Sequence, residues 1–314
     1  MHIPVLRDEV VQLLAPERGG TFVDCTVGLG GHARMLLDAG ATRLIGIDRD
    51  TDAIAIARET LAPFGDRVTL VHADYREIDA VLDAQQVGEV AGLLADLGVS
   101  SMQLDAEGRG FSFRRDEPLD MRMDRSRGET AADLIDRVDE TELADLIYEF
   151  GEERRSRQVA RAIVMARQQA RIETTARLAE IVRRAVAARG WQRIDPATRT
   201  FQALRIWVNR ELDGLDSFIG SAARRLQRGD VESGGRIAVI AFHSLEDRVV
   251  KHTLRALSRP PALDDRPAGR PAEEAVVKVL TKHPIVASDA EAAANPRARS
   301  AKLRGAVRVR GNHG

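Results

Sequence analysis

The sequence is poor in cysteine, aromatics and long apolar runs, and each shortage excludes something. Cys25 is the one cysteine in 314 residues, so no internal disulfide can form. With one thiol and seven scattered histidines, the ligand spacing of a zinc site is missing, and no metal is expected. Phe, Trp and Tyr together make up 4 %, so base stacking cannot be the main device for holding a nucleic acid. No run approaches the ~18 uncharged apolar residues of a membrane helix. The first residues, Met1-His-Ile-Pro-Val-Leu-Arg-Asp-Glu9, lack a positive start followed by an apolar block, so no secretory signal is expected. These features fit a cytoplasmic protein of bacterial type. Net charge is 47 − 48 = −1. That excludes a globally basic nucleic-acid binder and leaves room for a local basic face. A Gly-x-x-x-x-Gly-Lys-Ser/Thr segment is also missing, which argues against a phosphate-splitting enzyme.

What is present is organised around Thr21-Phe-Val-Asp-Cys-Thr-Val-Gly-Leu-Gly-Gly-His32. Phe22 and Val23 suit a buried strand that ends in Asp24. Gly28, Gly30 and Gly31 allow a tight turn and a close approach to a ligand. Ala33-Arg-Met-Leu-Leu37 then opens a helix. Strand, glycine turn and helix form the first half of a nucleotide-binding βαβ unit. A glycine cluster alone reads equally well as a plain turn. The next strand, Arg43-Leu-Ile-Gly-Ile-Asp48, also ends in an acid, and Asp48 comes 24 residues after Asp24. That is near the spacing of a ribose-binding carboxylate. Capping the following helix is the alternative for Asp48, but Asp50 and Thr51 are better placed for it.

Apolar residues make up 44 %, enough for one large core or two modest ones. Further apolar runs over 67–72 and 90–96 alternate with helical patterns over 51–62 and 76–86. This predicts a parallel, doubly wound sheet. The strand ends bring Asp24, Asp48, Asp74-Tyr75 and Asp96 to one rim, where open α/β folds bind ligands. The rhythm then stops until Gly235-Arg-Ile-Ala-Val-Ile-Ala-Phe242. Helical patterns over 130–138, 141–150, 153–171 and 175–189 fill most of the gap and predict an inserted helical domain. Phe201–Leu226 reads as one long helix returning to the sheet domain, with Gly214 as a point of interruption. Ser244 reads as the cap of the helix after strand five. Residues 260–271 hold four of the eleven prolines and read as a loop. Val276–Leu280 and Ala306–Arg310 read as the last strands.

A glycine loop with a ribose acid and no arginine clamp suits S-adenosylmethionine or a nicotinamide dinucleotide. His32 stands in place of the third glycine of a dinucleotide fingerprint, which counts against the dinucleotide. A dehydrogenase, and an assembly factor that binds without catalysis, are the rival readings.

Asp24-x-Thr-x-Gly28-x-Gly-Gly-His32 resembles the cofactor loop of the RsmH (MraW) methyltransferases of bacteria. Other stretches resemble the same family, namely His2-Ile-Pro-Val-Leu6, Asp96-Leu-Gly-Val-Ser-Ser101, Gly108-Arg-Gly-Phe-Ser-Phe113 and Pro118-Leu-Asp-Met-Arg-Met-Asp124. Gly151-Glu-Glu-Arg-Arg-Ser-Arg157, the stretch Ala197–Ile206, Phe242-His-Ser-Leu-Glu-Asp-Arg248 and the stretch Asn295–Arg304 complete the series in family order. The resemblance implies methylation of the exocyclic N4 of a cytosine in the decoding centre of 16S ribosomal RNA, with S-adenosylmethionine. The RNA would be met in the small subunit or a late precursor. It implies a Rossmann-like α/β methyltransferase domain over 1–106 and 204–314, with an all-helical substrate-recognition insert at 107–203. Cofactor contacts pass to Gly30, Gly31, His32, Asp48, Tyr75, Asp96 and Gln103, with Tyr75 over the adenine. The Asn/Asp/Ser-Pro-Pro-Tyr/Phe segment of many amino-methyltransferases is replaced here by Asp96-Leu-Gly-Val.

Two residues are candidates for the chemistry. Asp96 could accept from the target amine or from the cofactor's amino group. His243, at the end of strand five, could orient the base or be satisfied by local backbone. Among the basic residues, Arg154, Arg157 and Arg161 fall on one face of a helix in the insert. Arg109 lies with Arg114, Arg115, Arg122 and Arg125 in a loop-rich stretch suited to wrapping RNA. Residues 297–310 carry six basic side chains and no acid, Arg297, Arg299, Lys302 and Arg304 among them. All are expected to meet phosphates, a solvated surface being the alternative.

Overall fold

The computed structural model describes residues 4–98, 107–186, 195–259 and 275–310. Two compact units divide it, one of residues 1–98 with 214–314 and one of residues 99–213.

The first unit is an α/β domain around a seven-stranded sheet. Its strands are β1 (Thr21–Asp24), β2 (Arg43–Asp48), β3 (Val68–His72), β4 (Gly92–Asp96), β5 (Arg236–Ala241), β6 (Val277–Val279) and β7 (Lys302–Arg308). They lie in the order β3-β2-β1-β4-β5-β7-β6. The first five are parallel, and β7 runs antiparallel between β5 and β6. The chain steps outward from β1 to β3 on one side, then from β4 to β5 on the other. The direction reverses between β1 and β4, so the crevice of this doubly wound sheet opens beyond Asp24 and Asp96.

Both faces of the sheet are apolar because both are covered. Phe22, Leu44, Leu94, Ala238 and Ile240 share one core with helices α1 (Arg7–Leu14), α2 (Gly31–Asp38) and α3 (Thr51–Leu61). The alternate residues Val23, Ile45, Leu93, Ile237 and Val239 are fully buried on the opposite face. Helix α4 is Ile78–Ala84. No helix among the described residues is long and apolar enough to cross a membrane.

The second unit is helical. It contains α5 (Ala131–Arg137), α6 (Glu140–Gly151), α7 (Ser156–Arg167), α8 (Thr175–Ala185) and α9 (Ala197–Asn209). Leu134, Leu143, Ile147, Val159, Ile163, Leu178, Val182 and Leu204 form its core. Gly151 lets α6 and α9 approach, since a Cβ there would lie 2.6 Å from the Arg199 carbonyl. Asn209 accepts from Met123 N and donates to Met121 O, both at 2.8 Å, which staples the Pro118–Asp124 stretch to the end of α9.

The expected insert, 107–203, falls inside this unit. The long helix expected over Phe201–Leu226 is two helices, α9 and α10 (Leu215–Arg225), because Arg210 and Gly214 both adopt left-handed backbone. Packing of α9 on α6 holds its whole length in the helical unit. Two helices complete the first unit, α11 (Ser244–Leu257) and α12 (Asp289–Ala294). His243 caps α11 in place of the expected Ser244. The last strand starts at Lys302, four residues before the expected Ala306. The proline-rich 260–271 stretch lies outside the described residues.

Candidate cofactor and catalytic site

The glycine loop is fixed from both sides. Thr26 links it to β4, its Oγ1 accepting from Asp96 N at 2.7 Å, while its own N–H donates to Asp24 Oδ1 at 3.2 Å. Val27 N donates to Ile47 O at 2.8 Å, and Gly28 N to Asp48 Oδ2 at 2.8 Å, which ties the loop to β2. Gly28 (φ +50°) and Gly30 (φ +84°) supply the left-handed turns. Gly31 has a different reason to be glycine, because a Cβ there would meet Pro4 Cγ at 2.9 Å. The N-terminal Pro4-Val5 segment therefore lies against the loop. Gly30 caps α2 without a side-chain hydrogen bond, so the helix presents a positive N-terminus at the rim.

Three carboxylates line this rim. Asp48 accepts from Gly28 N through Oδ2 and from Asp50 N, at 2.9 Å, through Oδ1. Burial holds it above the usual carboxylate range. Asp50 caps α3 by accepting from Asp52 N, as expected of it. Asp24 is 1 % exposed, and burial pushes it up to about 7. Asp96 is pushed up to about 7 as well, first by burial and then by the Glu246 carboxylate. Among the described residues, neither Asp24 Oδ2 nor Asp96 Oδ1 has a hydrogen-bond partner. Buried carboxylate oxygens are costly unless something donates to them, so these two atoms mark where donors of a ligand belong.

His32 is buried on α2, with Nε2 2.9 Å from Val5 O and Nδ1 3.5 Å from Asp96 Oδ2. Burial holds its pKa below the usual histidine value. Tyr75 follows β3 on a short 3₁₀ turn capped by Asp74. Its ring packs on Phe218 at 4.7 Å between centroids, with the Arg76 guanidinium 5.2 Å from it. Gln103 lies outside the described residues.

His243 stands at the end of β5, but its ring turns toward its own helix. Nδ1 accepts from Glu246 N at 3.4 Å, and Nε2 lies 3.1 Å from Glu246 Oε1. The local alternative therefore describes its geometry better than base orientation does. Glu246 is 1 % exposed and accepts from Phe242 N at 2.8 Å.

The basic residues separate into two groups. Arg109 is buried, and its Nη2 donates to Met123 O at 3.0 Å, so it holds the insert together and offers no surface to RNA. Arg122 pairs with Asp120 at 2.7 Å in the same stretch. Arg304 is buried too, donating to Asp247 at 2.6 Å from within β7. Lys302 lies 3.4 Å from the same carboxylate. The second half of the expected basic tail is thus a core strand, covered on both faces, with residues 303–308 all buried. Arg297 is half-buried, while Arg299 is exposed. Arg154, Arg157 and Arg161 are exposed, with no carboxylate at ion-pair distance among the described residues. Helix α7 begins at Ser156, so Arg154 precedes it, and Arg157 and Arg161 alone share its face.

Asp24 was placed at the rim from the sequence but given no role, and Thr26, Val5 and Glu246 were not singled out as site groups. The Asp-x-Thr spacing was the available signal for Asp24 and Thr26. The acid within the capping pattern Ser244-Leu-Glu-Asp247 at the start of α11 was the signal for Glu246.

A profile of the MraW methylase family matches residues 1–309. A ribosomal RNA small subunit methyltransferase H of Sorangium cellulosum is 53 % identical over 310 residues, 99 % of this chain and 91 % of the relative. One of the same name from Geotalea uraniireducens is 46 % identical over 315 residues, 98 % of each. The solved structure of an rRNA methylase from Streptococcus thermophilus aligns with 99 % of this chain and 100 % of its own at 11 % identity, with a TM-score of 0.42 that adds nothing to these matches. The buried acceptors, the pinned glycine loop and the open helix N-terminus fit the ammonium, ribose and carboxylate of a methionine-derived nucleoside, and the chain belongs to the MraW methylase family of S-adenosylmethionine-dependent methyltransferases.

Proposed function

We propose that this enzyme methylates the exocyclic N4 of a cytosine in the decoding centre of 16S ribosomal RNA, within the small subunit or a late precursor. The name shared by the relatives supports small-subunit ribosomal RNA as the substrate. The chemistry rests on one observation, the pair of partnerless buried oxygens on Asp24 and Asp96. They offer two acceptors for two donors, so Asp96 need not serve both the cofactor ammonium and the target amine. Asp24 Oδ2 takes the ammonium and Asp96 Oδ1 takes an N4 hydrogen. Gly31 and His32 present backbone N–H groups to the cofactor carboxylate, and Gly30, whose own N–H donates to Val27 O, shapes the turn that brings them there. Asp48 keeps lone pairs for ribose hydroxyls, and Tyr75 borders the adenine. Gln103 joins them through the family resemblance. Arg154, Arg157, Arg161, Arg297 and Arg299 meet RNA phosphates.

When bound, S-adenosylmethionine supplies an electrophilic methyl group. The N4 lone pair is delocalised into the cytosine ring, so the amine is a poor nucleophile. Asp96 helps by accepting an N–H and aligning the amine. It need not remove the proton first, because that proton becomes acidic as the N–C bond forms at the expense of the methyl–sulfur bond, and Asp96 then takes it. Cys25 is buried and its thiol is pushed well above the usual value, which does not suit the thiolate attack of a C5-methyltransferase.

The test is to methylate small-subunit RNA in vitro, digest it and identify the nucleoside. N4-methylcytidine is expected, and 5-methylcytidine or a methylated adenosine would overturn the reading. Asp96→Asn should lower turnover about 100-fold or more while cofactor binding persists. Loss of cofactor binding with turnover kept at saturation would move Asp96 to the ammonium.

A further inference from the structure

The Val5 carbonyl can only accept a hydrogen bond, so His32 Nε2, 2.9 Å away, carries a proton. Nδ1 then lies 3.5 Å from Asp96 Oδ2, at ion-pair distance. With His32 neutral and Asp96 ionised, a ring lone pair would face a carboxylate oxygen in a buried site, which is repulsive. One more proton between them removes the conflict, as imidazolium and carboxylate or as imidazole and carboxylic acid. The surrounding groups favour keeping it. Asp24 faces His32 from the end of β1, with Cys25 beside it, and Asp48 faces Asp24 from the end of β2 with Arg49 alongside. Glu246 faces Asp96 from α11. Carboxylates gathered in one site favour retention of a proton.

We propose that His32 and Asp96 share one proton in the ligand-free enzyme, that His32 keeps it on the Oδ2 side, and that binding of the cationic cofactor releases it. Asp96 Oδ1 then stays an acceptor throughout, and Asp96 is a carboxylate beside a neutral His32 when substrate arrives. His32 is thus a positioning residue that acts through Asp96. The use of Oδ1 by the amine rests on the cytosine reading; the shared proton does not.

The test therefore uses the enzyme without RNA. Nitrogen-15 NMR of labelled histidine, assigned by the signal lost in His32→Gln, is followed between about pH 5.5 and 8.5. Nε2 should stay protonated while Nδ1 titrates, and in Asp96→Asn that titration should vanish from the window. An unchanged Nδ1 titration in Asp96→Asn, or a neutral ring protonated on Nδ1, would overturn the proposal. Calorimetry of S-adenosylmethionine binding near pH 6, in two buffers of different ionisation enthalpy, gives a second readout. The wild type should release about one proton more than Asp96→Asn. Equal release would sink the idea, whichever nucleoside the enzyme methylates.

Discussion

At the rim of the sheet, the Asp24 and Asp48 carboxylates accept from backbone N–H groups, and the Asp96 backbone is tied to the glycine loop by its N–H donating to the Thr26 hydroxyl. On α7 of the insert, Arg157 and Arg161 stand exposed with no acid in reach among the described residues. The difference follows from what burial demands. A carboxylate out of water must be given donors or keep a proton, so its neighbours are specified atom by atom. An exposed arginine is satisfied by solvent, so nothing in its surroundings fixes what it does. The rim is therefore read from geometry, whereas the surface must be read by removing charge.

The largest effect that would sharpen this contrast lies in the rim. Asp48→Asn puts an NH₂ where either Gly28 N or Asp50 N now finds an acceptor, and it removes the charge from any ribose contact. Cofactor affinity should fall tenfold or more, since hydrogen bonds to an ionised acceptor contribute about 1.5–3 kcal/mol each. Calorimetry that shows the same affinity would mean that Asp48 touches neither loop geometry nor ribose in any way that binding senses.

The arginines give the second comparison. Changing Arg154, Arg157 and Arg161 together to Ala should reduce the salt slope of RNA binding by up to about 2, at roughly 0.7 per phosphate on single-stranded RNA. Stability should stay within about 0.5 kcal/mol. Arg304→Ala should do the reverse, because it leaves the Asp247 carboxylate without its 2.6 Å partner. Burial alone would push Asp247 up, and the bond from Arg304 brings it below the usual carboxylate range. Unfolding should cost about 1–3 kcal/mol less with the salt slope unchanged. A changed slope at constant stability would put Arg304 back on the RNA surface.

That reversal shows where the sequence was legible. Strand ends carried the rim, because an apolar run followed by Asp marks a buried strand that surfaces at one edge; β2 and β4 both end at the acid expected of them. The atoms that close the site were out of reach, because Val5 and His32, or Thr26 and Asp96, meet only through tertiary contact. Arg304 was misread because a basic run looks the same whether its side chains reach solvent or an acid on a neighbouring helix. The break before α10 was suggested by Gly214, but the left-handed turn at Arg210 carries no such mark.

The smallest expected effect concerns pH, and it again sets the buried rim against ordinary surface acids. Asp24 has an ordinary value of 3.8, and in the folded protein it stands at about 7. Between these values the folded state holds a proton that the unfolded chain has lost. Stability from this group is therefore full below 3.8 and disappears as pH rises through about 7. Between pH 6 and pH 8 the loss comes to about 1.4 kcal/mol. The acids of the ion pairs, such as Asp79 and Asp247, are held low and lose their contribution only on acidification, so they do not interfere in that window. Asn at position 24 cannot titrate, and its carbonyl can keep the bond from Thr26 N. Its second group finds no acceptor in place of Oδ2, so the variant's absolute stability is not the informative quantity. The difference between Asp24→Asn and wild type should move in the variant's favour by about 1.4 kcal/mol from pH 6 to pH 8, measured by urea unfolding without cofactor. A difference that stays constant across that range would show that Asp24 is ionised throughout and that the site contains a donor for Oδ2.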